Sequence, residues 1–196
     1  MSVPNLDTQL AFLESRGARS GQHSLSTLLD HLLGTRELLW QWQADEALCT
    51  AGLFHSVYGT DSFQLETVSL ADRNLVRSVT GIDCEEIVYL FAVMTQESFA
   101  ANLQRESGFR IKERTTGRWL PIRSKIFRQL CNLSAANWLE QRDRLPGQLR
   151  TAGRERYVPM LKFLLPGAVD AICAAYNISR ADNRLEIKRA VPAGDV

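Results

Sequence analysis

The feature that most constrains this chain is the spacing of its apolar residues, which recur at intervals of three and four along most of its length. The clearest stripe consists of Leu25, Leu28, Leu29, Leu32, Leu39 and Trp42. This period is that of an α-helix with one buried face. Hydrophobic residues make up 45% of the 196 residues, enough to enclose a core of ordinary size. We therefore expect an all-α bundle in which residues 1–196 form a single domain.

Capping residues and glycines predict where the helices begin and end. Asn5 or Asp7 suits the start of a first helix that reaches about Arg16, and Ser24 or Ser26 suits the start of a second. A third helix is predicted from near Asp45 to Gly59. Further helices are predicted at about 70–79, 83–104, 123–142 and 155–177, with Pro166-Gly167 kinking or splitting the last one.

One segment departs from the helical period. Between Phe109 and Ile122, β-forming and charged residues loosely alternate around Thr116-Gly117, which predicts a short β-hairpin. The densest basic run, RIKERTTGR, falls in this segment and is expected to form a solvated edge or a lid. We expect residues 105–180, the hairpin and the C-terminal helices, to close a pocket in the bundle.

Charge and composition narrow the classes of partner. The chain has 23 Lys and Arg against 22 Asp and Glu, so no global field attracts nucleic acid or an anionic membrane. No apolar run approaches the roughly 20 residues that span a bilayer, and the N-terminus lacks the layout of a signal peptide. The expected setting is cytoplasmic, with a small-molecule substrate and neither nucleic acid nor membrane as partner. The four cysteines lie far apart, as buried structural thiols do.

All three histidines, His23, His31 and His55, fall within the predicted second and third helices and the turn before them. A histidine on an inward helix face needs partners for its ring nitrogens, and a divalent metal ion is one such partner. The alternative is a buried ring bonded to a backbone carbonyl or to a neighbour such as Ser56 or Tyr58. The spacing by itself leaves both interpretations open.

His31 lies in LLDHLLGT, and His55 follows it by 24 residues in AGLFHSVYGT. This arrangement over residues 20–100 resembles the HD-domain superfamily, in which a helix-borne His precedes a helix bearing His-Asp. The resemblance implies an HD-like helical bundle whose metal ions hydrolyse phosphate esters of nucleotides or related compounds. A minority branch of that superfamily, similar to the inositol oxygenases, instead uses a diiron site to activate oxygen.

The chain departs from the HD pattern in two places. Ser56 stands where the family has Asp, and Leu90, Phe91 and Ala92 occupy the segment expected to supply a later Asp. The HSxYGT version resembles an uncharacterised bacterial branch of HD-related proteins. Only His31 and His55 then match ligand positions, and the candidates for completing the site are His23, Asp30, Asp61 and Glu86.

Three further sets of residues are candidates for a site. Arg73 and Arg77 lie four residues apart and could bind an anionic substrate in a pocket, or form a solvated face. Asn137, with its neighbours in ANWLEQ, could line a pocket opposite the histidines or form a core boundary. Adjacent Glu85 and Glu86 point about 100° apart on a helix, so only one of them can face a site.

The sequence therefore predicts metal-dependent hydrolysis of a phosphorylated or anionic metabolite, with Mn, Fe, Co, Ni or Zn as the divalent ion. Three alternatives stay open: a catalytically degenerate HD fold that binds a small molecule or partner, an iron-dependent oxygenase, and a metal-free catalyst. In the metal-free catalyst, His55 acts as general base beside Ser56 and Tyr58.

Overall fold

The computed structural model of the chain describes residues 5–18, 24–62, 66–142, 144 and 147–179. In these ranges the chain forms helices and one small two-stranded sheet, which confirms the predicted all-α class with a short hairpin. The strands are β1 (Arg110–Lys112) and β2 (Trp119–Pro121). The α-helices are α1 (Leu6–Leu13), α2 (Ser24–Gln41), α3 (Glu46–Phe54), α4 (Arg73–Thr80), α5 (Ile82–Val93), α6 (Gln96–Asn102), α7 (Ser124–Arg142), α8 (Gly147–Tyr157) and α9 (Pro166–Tyr176).

Helix α1 begins at the predicted cap. The Asn5 side-chain oxygen accepts a hydrogen bond from the Thr8 amide at 3.1 Å and so satisfies one of the free N–H groups of the first turn. The α-helix ends at Leu13, and Glu14–Ala18 continue it as a π-helical turn, which contains the predicted end near Arg16.

Helices α2 and α3 form a tightly packed antiparallel pair. A Cβ on Gly52 would lie 3.1 Å from the Arg36 backbone, so the absence of a side chain allows the two helices to approach closely. The predicted cap Asp45 accepts a hydrogen bond from the Leu48 amide at 2.9 Å. Helix α3 ends at Phe54, so the predicted extension to Gly59 is wrong. Tight turns follow instead, and Gly59 adopts φ +64°.

The predicted single helix over 83–104 is also wrong, because the chain leaves the helical path between α5 and α6. The Thr95 amide donates to the Lys112 carbonyl at 3.0 Å, and the Arg114 amide donates to the Val93 carbonyl at 2.7 Å. The Thr95 hydroxyl then accepts from the Ser98 amide at 3.3 Å and caps α6. The break is therefore made by pairing with a segment that lies far along the chain.

That segment is the predicted hairpin. Strands β1 and β2 pair antiparallel with Ile111 opposite Leu120, and Gly117 turns the chain between them at φ +71°. Ile111 is fully buried while the neighbouring residues of β1 are exposed, as expected for a strand that packs one face on the core.

The C-terminal region begins with α7, which agrees with the predicted helix over 123–142. The predicted helix over 155–177 is divided differently: α8 begins at Gly147, a 3₁₀ segment covers Val158–Phe163, and α9 begins at Pro166. The predicted split at Pro166-Gly167 is confirmed, and Pro166 begins α9, since a first-turn residue needs no amide donor.

The core contains an aromatic cluster between the hairpin and the C-terminal helices. Phe109 stacks on Phe127 with ring centroids 4.5 Å apart, and Phe163 packs edge-on against both. The four cysteines are buried and form no disulfide in the described ranges, as predicted. Within those same ranges, no helix combines the length and apolar character that crossing a bilayer would require.

Candidate functional site

The structure brings two of the three histidines together. His31 projects from α2 and His55 from the C-terminal cap of α3, and their Nε2 atoms lie 3.2 Å apart. The rings meet edge to face, with centroids 5.1 Å apart and an interplanar angle of 85°. His55 is only 3% exposed, and the His31 side chain is 13% exposed. We call this arrangement the histidine pair.

The Nδ1 atoms of both histidines contact hydrogen-bond acceptors outside the pair. His55 Nδ1 is 2.8 Å from the Gly52 carbonyl oxygen, and His31 Nδ1 is in hydrogen-bond contact with Glu140 Oε2 of α7. Glu140 also accepts a hydrogen bond from Arg144 at 2.5 Å. A carbonyl oxygen and an ionised carboxylate can only accept hydrogen bonds, so each Nδ1 carries a proton and donates it.

The Nε2 atoms of His31 and His55 then face each other across one site. Burial, followed by repulsion from His31, lowers the pKa of His55 from 6.5 to about 4, so this ring is neutral at neutral pH. With its proton on Nδ1, His55 directs a lone pair from Nε2 towards His31. Either His31 is an imidazolium that donates a hydrogen bond to this lone pair, or both Nε2 lone pairs face a common cation.

The separation of the two Nε2 atoms matches that of two ligands of one metal ion. Two imidazole nitrogens bound to one tetrahedral ion at about 2.05 Å would be roughly 3.3 Å apart, close to the observed 3.2 Å. The hydrogen bond from His31 to Glu140 is the outer support that metal-bound histidines usually have. No group of three His, Cys, Asp or Glu side chains arranged for a metal is found in the part of the chain that the structure describes. A metal ion at the histidine pair would therefore have two protein ligands, the Nε2 atoms of His31 and His55.

Two glycines make the space that this geometry needs. A Cβ on Gly34 would lie 2.7 Å from Glu140 Cγ, so only glycine lets the Glu140 side chain lie against α2. Gly52 brings α3 against α2 and also supplies the carbonyl that orients His55. Asn137 of α7 interacts with His55 and favours its protonated form, and Phe91 of α5 packs edge-on against the same ring with centroids 5.8 Å apart.

Of three further predicted site residues, two have contacts away from the histidine pair. His23 lies outside the described residues. Ser56 lines an apolar cavity of about 20 Å³ beside Leu13 and Leu53, too small for more than about one water. The Tyr58 hydroxyl donates to Glu85 at 3.1 Å, and burial together with that carboxylate raises the pKa of Tyr58. The predicted grouping of His55, Ser56 and Tyr58 is therefore corrected. Ser56 lines the small apolar cavity, and the Tyr58 hydroxyl is bonded to Glu85.

The three candidate carboxylates have other surroundings. Asp61 accepts a hydrogen bond from the Gln96 amide at 3.2 Å, and Glu86 pairs with Arg123 at 2.5 Å. Asp30 is exposed on α2. The carboxylate that does contact the histidine pair is Glu140, which was predicted only as one of the neighbours of Asn137 in ANWLEQ that could line a pocket.

Arg73 and Arg77 line a pocket, but a different one from the histidine pair. Both bind Glu85 of α5, and neither histidine lines their cavity. Tyr89 of α5 faces this cavity while Phe91 contacts His55, and two helical positions differ by about 200° in direction. The arginines therefore line a pocket, as one of the two interpretations of the sequence allows, but α5 separates this pocket from the histidine pair.

The sequence gives little indication that Glu140 contacts His31. Glu140 is 109 residues from His31, so no helical spacing links the two, and polar residues at the end of an amphipathic helix are common. Gly34 would have been the better clue, since it lies one turn from His31 inside a helix where glycine is otherwise unfavourable.

Comparison with known proteins gives one match. A family model described as "Domain of unknown function (DUF6817)" matches residues 12–96, less than half of the chain. This range includes both histidines of the pair and ends before α7, which supplies Glu140 and Asn137. No curated protein and no solved structure matches the chain.

Proposed function

We propose that this chain is a small-molecule enzyme in which His31 and His55 bind one divalent metal ion, and that it hydrolyses a phosphorylated or otherwise anionic substrate. One observation carries the proposal: the Nε2 atoms lie 3.2 Å apart while both Nδ1 atoms are already committed to acceptors. Two lone pairs at that separation repel each other unless a proton or a cation lies between them. Two nitrogen donors favour Fe, Co, Ni or Zn over a hard ion such as Mg²⁺.

The chain's own residues position the site. Glu140 holds the proton on His31 Nδ1 and so keeps Nε2 available as a ligand, and the Gly52 carbonyl does the same for His55. When bound, a divalent ion would polarise a phosphoryl oxygen and lower the pKa of a water for attack at phosphorus. Asn137, which interacts with His55, supplies an amide that would orient such a substrate.

The first experiment measures metal content. Protein purified without chelator should contain one equivalent of metal, and cobalt(II) added to the stripped protein should give the visible absorption of a nitrogen-bound ion. His31→Gln and His55→Gln should each abolish that spectrum. Glu86→Gln is the matched control, because Glu86 pairs with Arg123 and should leave the spectrum unchanged. A wild-type protein that neither retains metal nor binds cobalt would remove the metal from the proposal.

The second experiment measures turnover. The metal-loaded protein is assayed for phosphate release from a panel of nucleotides and sugar phosphates, with oxygen consumption after iron(II) loading as a parallel reading. Hydrolysis that requires metal and is lost in His55→Gln supports the proposal. Oxygen consumption without phosphate release would instead indicate the oxygenase alternative, and a metal-loaded protein inactive in both assays would indicate a binding protein.

A second candidate, metal-free acid–base catalysis, is favoured by the hydrogen-bonded order Glu140, His31, His55. In this arrangement the carboxylate stabilises an imidazolium at His31, which donates to the neutral His55. This route uses neither Ser56 nor Tyr58. Turnover that survives chelation but is lost in both Glu140→Gln and His55→Gln would establish it in place of the metal site.

A further inference from the structure

A second cavity lies on the other side of α5 from the histidine pair. It has a volume of about 440 Å³ and opens between α4, α5 and β2. Its floor is polar, with Arg73, Arg77 and Glu85, and its walls include Ile82, Leu120 and Ile122. We call it the arginine pocket.

The floor of the arginine pocket is a fixed ion cluster. Glu85 is fully buried and accepts hydrogen bonds from Arg73 Nε at 2.5 Å, Arg73 Nη2 at 2.8 Å and Arg77 Nε at 2.8 Å. The Tyr58 hydroxyl donates to the same carboxylate at 3.1 Å. Burial by itself raises the pKa of Glu85, but the hydrogen bonds and charges of both arginines outweigh burial and lower it. Glu85 is therefore an anion that holds both guanidinium groups in place.

This cluster carries an uncompensated positive charge at the pocket. Two guanidinium groups against one carboxylate leave 2 − 1 = +1, and the other acidic residue of the lining, Glu86, is paired with Arg123. Arg77 directs Nε to Glu85 and Nη1 to Asn74 at 3.4 Å, and its side chain remains 39% exposed. Its Nη2 group has no partner among the contacts that the structure describes, so it can donate to a ligand.

The walls favour a ligand that also has an apolar part. Ile82 is 73% exposed at the edge of the pocket, the largest exposure of any large hydrophobic residue in the described ranges. Tyr89 lies under the Arg73 guanidinium at 3.5 Å and so fixes the plane of that group. The lining therefore combines a charged floor with an apolar wall, which suits a ligand that has both an anionic group and an apolar part.

We infer that the arginine pocket binds a small organic anion, whose carboxylate or phosphate group contacts Arg77 and Arg73 while its apolar part packs on Ile82, Leu120 and Ile122. The guanidinium plane suits both oxyanions, since each can accept two parallel hydrogen bonds. Because α5 separates this pocket from the histidine pair, the inference stands whether or not the histidines bind metal.

The test is a binding titration of the full chain with four probes: benzoate, phenyl phosphate, inorganic phosphate and neutral benzyl alcohol. Binding is followed by NMR shifts of backbone amides, which also locate the probe. We expect the two aromatic anions to shift residues of α4, α5 and β2, and the tighter of the two to identify the preferred oxyanion. Equal binding of benzyl alcohol, or of inorganic phosphate and phenyl phosphate, would overturn the inference, as would shifts confined to other elements.

Two variants separate ligand binding from folding. Arg77→Gln leaves the two-point contact between Arg73 and Glu85 in place, and we expect it to weaken anion binding roughly tenfold. Ile82→Glu leaves the buried cluster untouched but places a negative charge at the edge, with a similar expected loss. The matched control is Arg105→Gln, which removes one partly exposed positive charge in the loop before β1 and should bind like wild type. Folded variants of Arg77 and Ile82 that bind as tightly as this control would refute the site.

Discussion

Acidification should destabilise the fold through His55 before most carboxylates begin to titrate. The ring is 3% exposed, and burial and repulsion from His31 lower its pKa from 6.5 to about 4. The unfolded chain therefore binds a proton as the pH falls through 6.5, whereas the folded chain resists it down to about pH 4. Because the unfolded state binds more protons in this window, the free energy of unfolding is highest above it and falls as the pH drops.

The magnitude follows from the size of the shift. The lowered pKa of His55 corresponds to about 3 kcal/mol in the free energy of unfolding. About 2 kcal/mol of this is lost between about pH 7.5 and about pH 5. For a chain of this length that loss lowers the melting temperature by roughly 4–8 °C. The assay is urea unfolding at a series of pH values, with a chelator present so that no metal occupies the imidazoles.

The control is His55→Gln, which keeps a polar side chain but cannot be protonated in this range. Its stability should depend on pH less steeply than that of wild type, by about 2 kcal/mol over the same interval. If the two proteins instead lose stability in parallel between about pH 7.5 and about pH 5, His55 is not the buried neutral base that its surroundings imply.

Three further variants probe the packing that creates the sites. Gly34→Ala would place a Cβ 2.7 Å from Glu140 Cγ, so Glu140 must move. Zinc affinity in a competition titration should then fall roughly 10–100-fold. Unchanged affinity would show that Glu140 does not orient His31. Glu85→Gln removes the fully buried charge between two arginines and should cost roughly 3–5 kcal/mol in urea unfolding, whereas a loss below about 1 kcal/mol would mean that the cluster is effectively solvated. Phe127→Ala removes the ring that stacks on Phe109 at 4.5 Å and should cost about 3–5 kcal/mol, and a much smaller loss would indicate that the aromatic cluster repacks.

The local features of the fold could be predicted from the sequence because they depend on neighbours along the chain. Asn5 and Asp45 cap the helices as predicted, since a cap needs only a side-chain oxygen within reach of the next turn. The hairpin was predictable for the same reason, as its turn is set by Gly117 and its flanking β-formers. The break between α5 and α6 was not, because it depends on Thr95 pairing with Lys112.

The histidine site was only half predictable. The HD-like spacing indicated that His31 and His55 approach each other, and the structure places them in contact. The same resemblance suggested a carboxylate near position 91, where Phe91 instead packs on the His55 ring. The carboxylate at the pair comes from Glu140 in α7, beyond the region of resemblance, so no pattern in residues 20–100 could reveal it.

By itself the sequence determined the helical class, the caps and the hairpin, because side-chain period and capping chemistry act over a few residues. Only the tertiary structure decided which polar groups share a site. It brings Glu140 into contact with His31, 109 residues away in the sequence, and it places Arg73 and Arg77 on the side of α5 opposite the histidine pair. The physical reason is that contacts between helices depend on how closely their axes approach and how each is rotated. Those quantities are set jointly by glycines such as Gly34 and Gly52 and by the packed core around them.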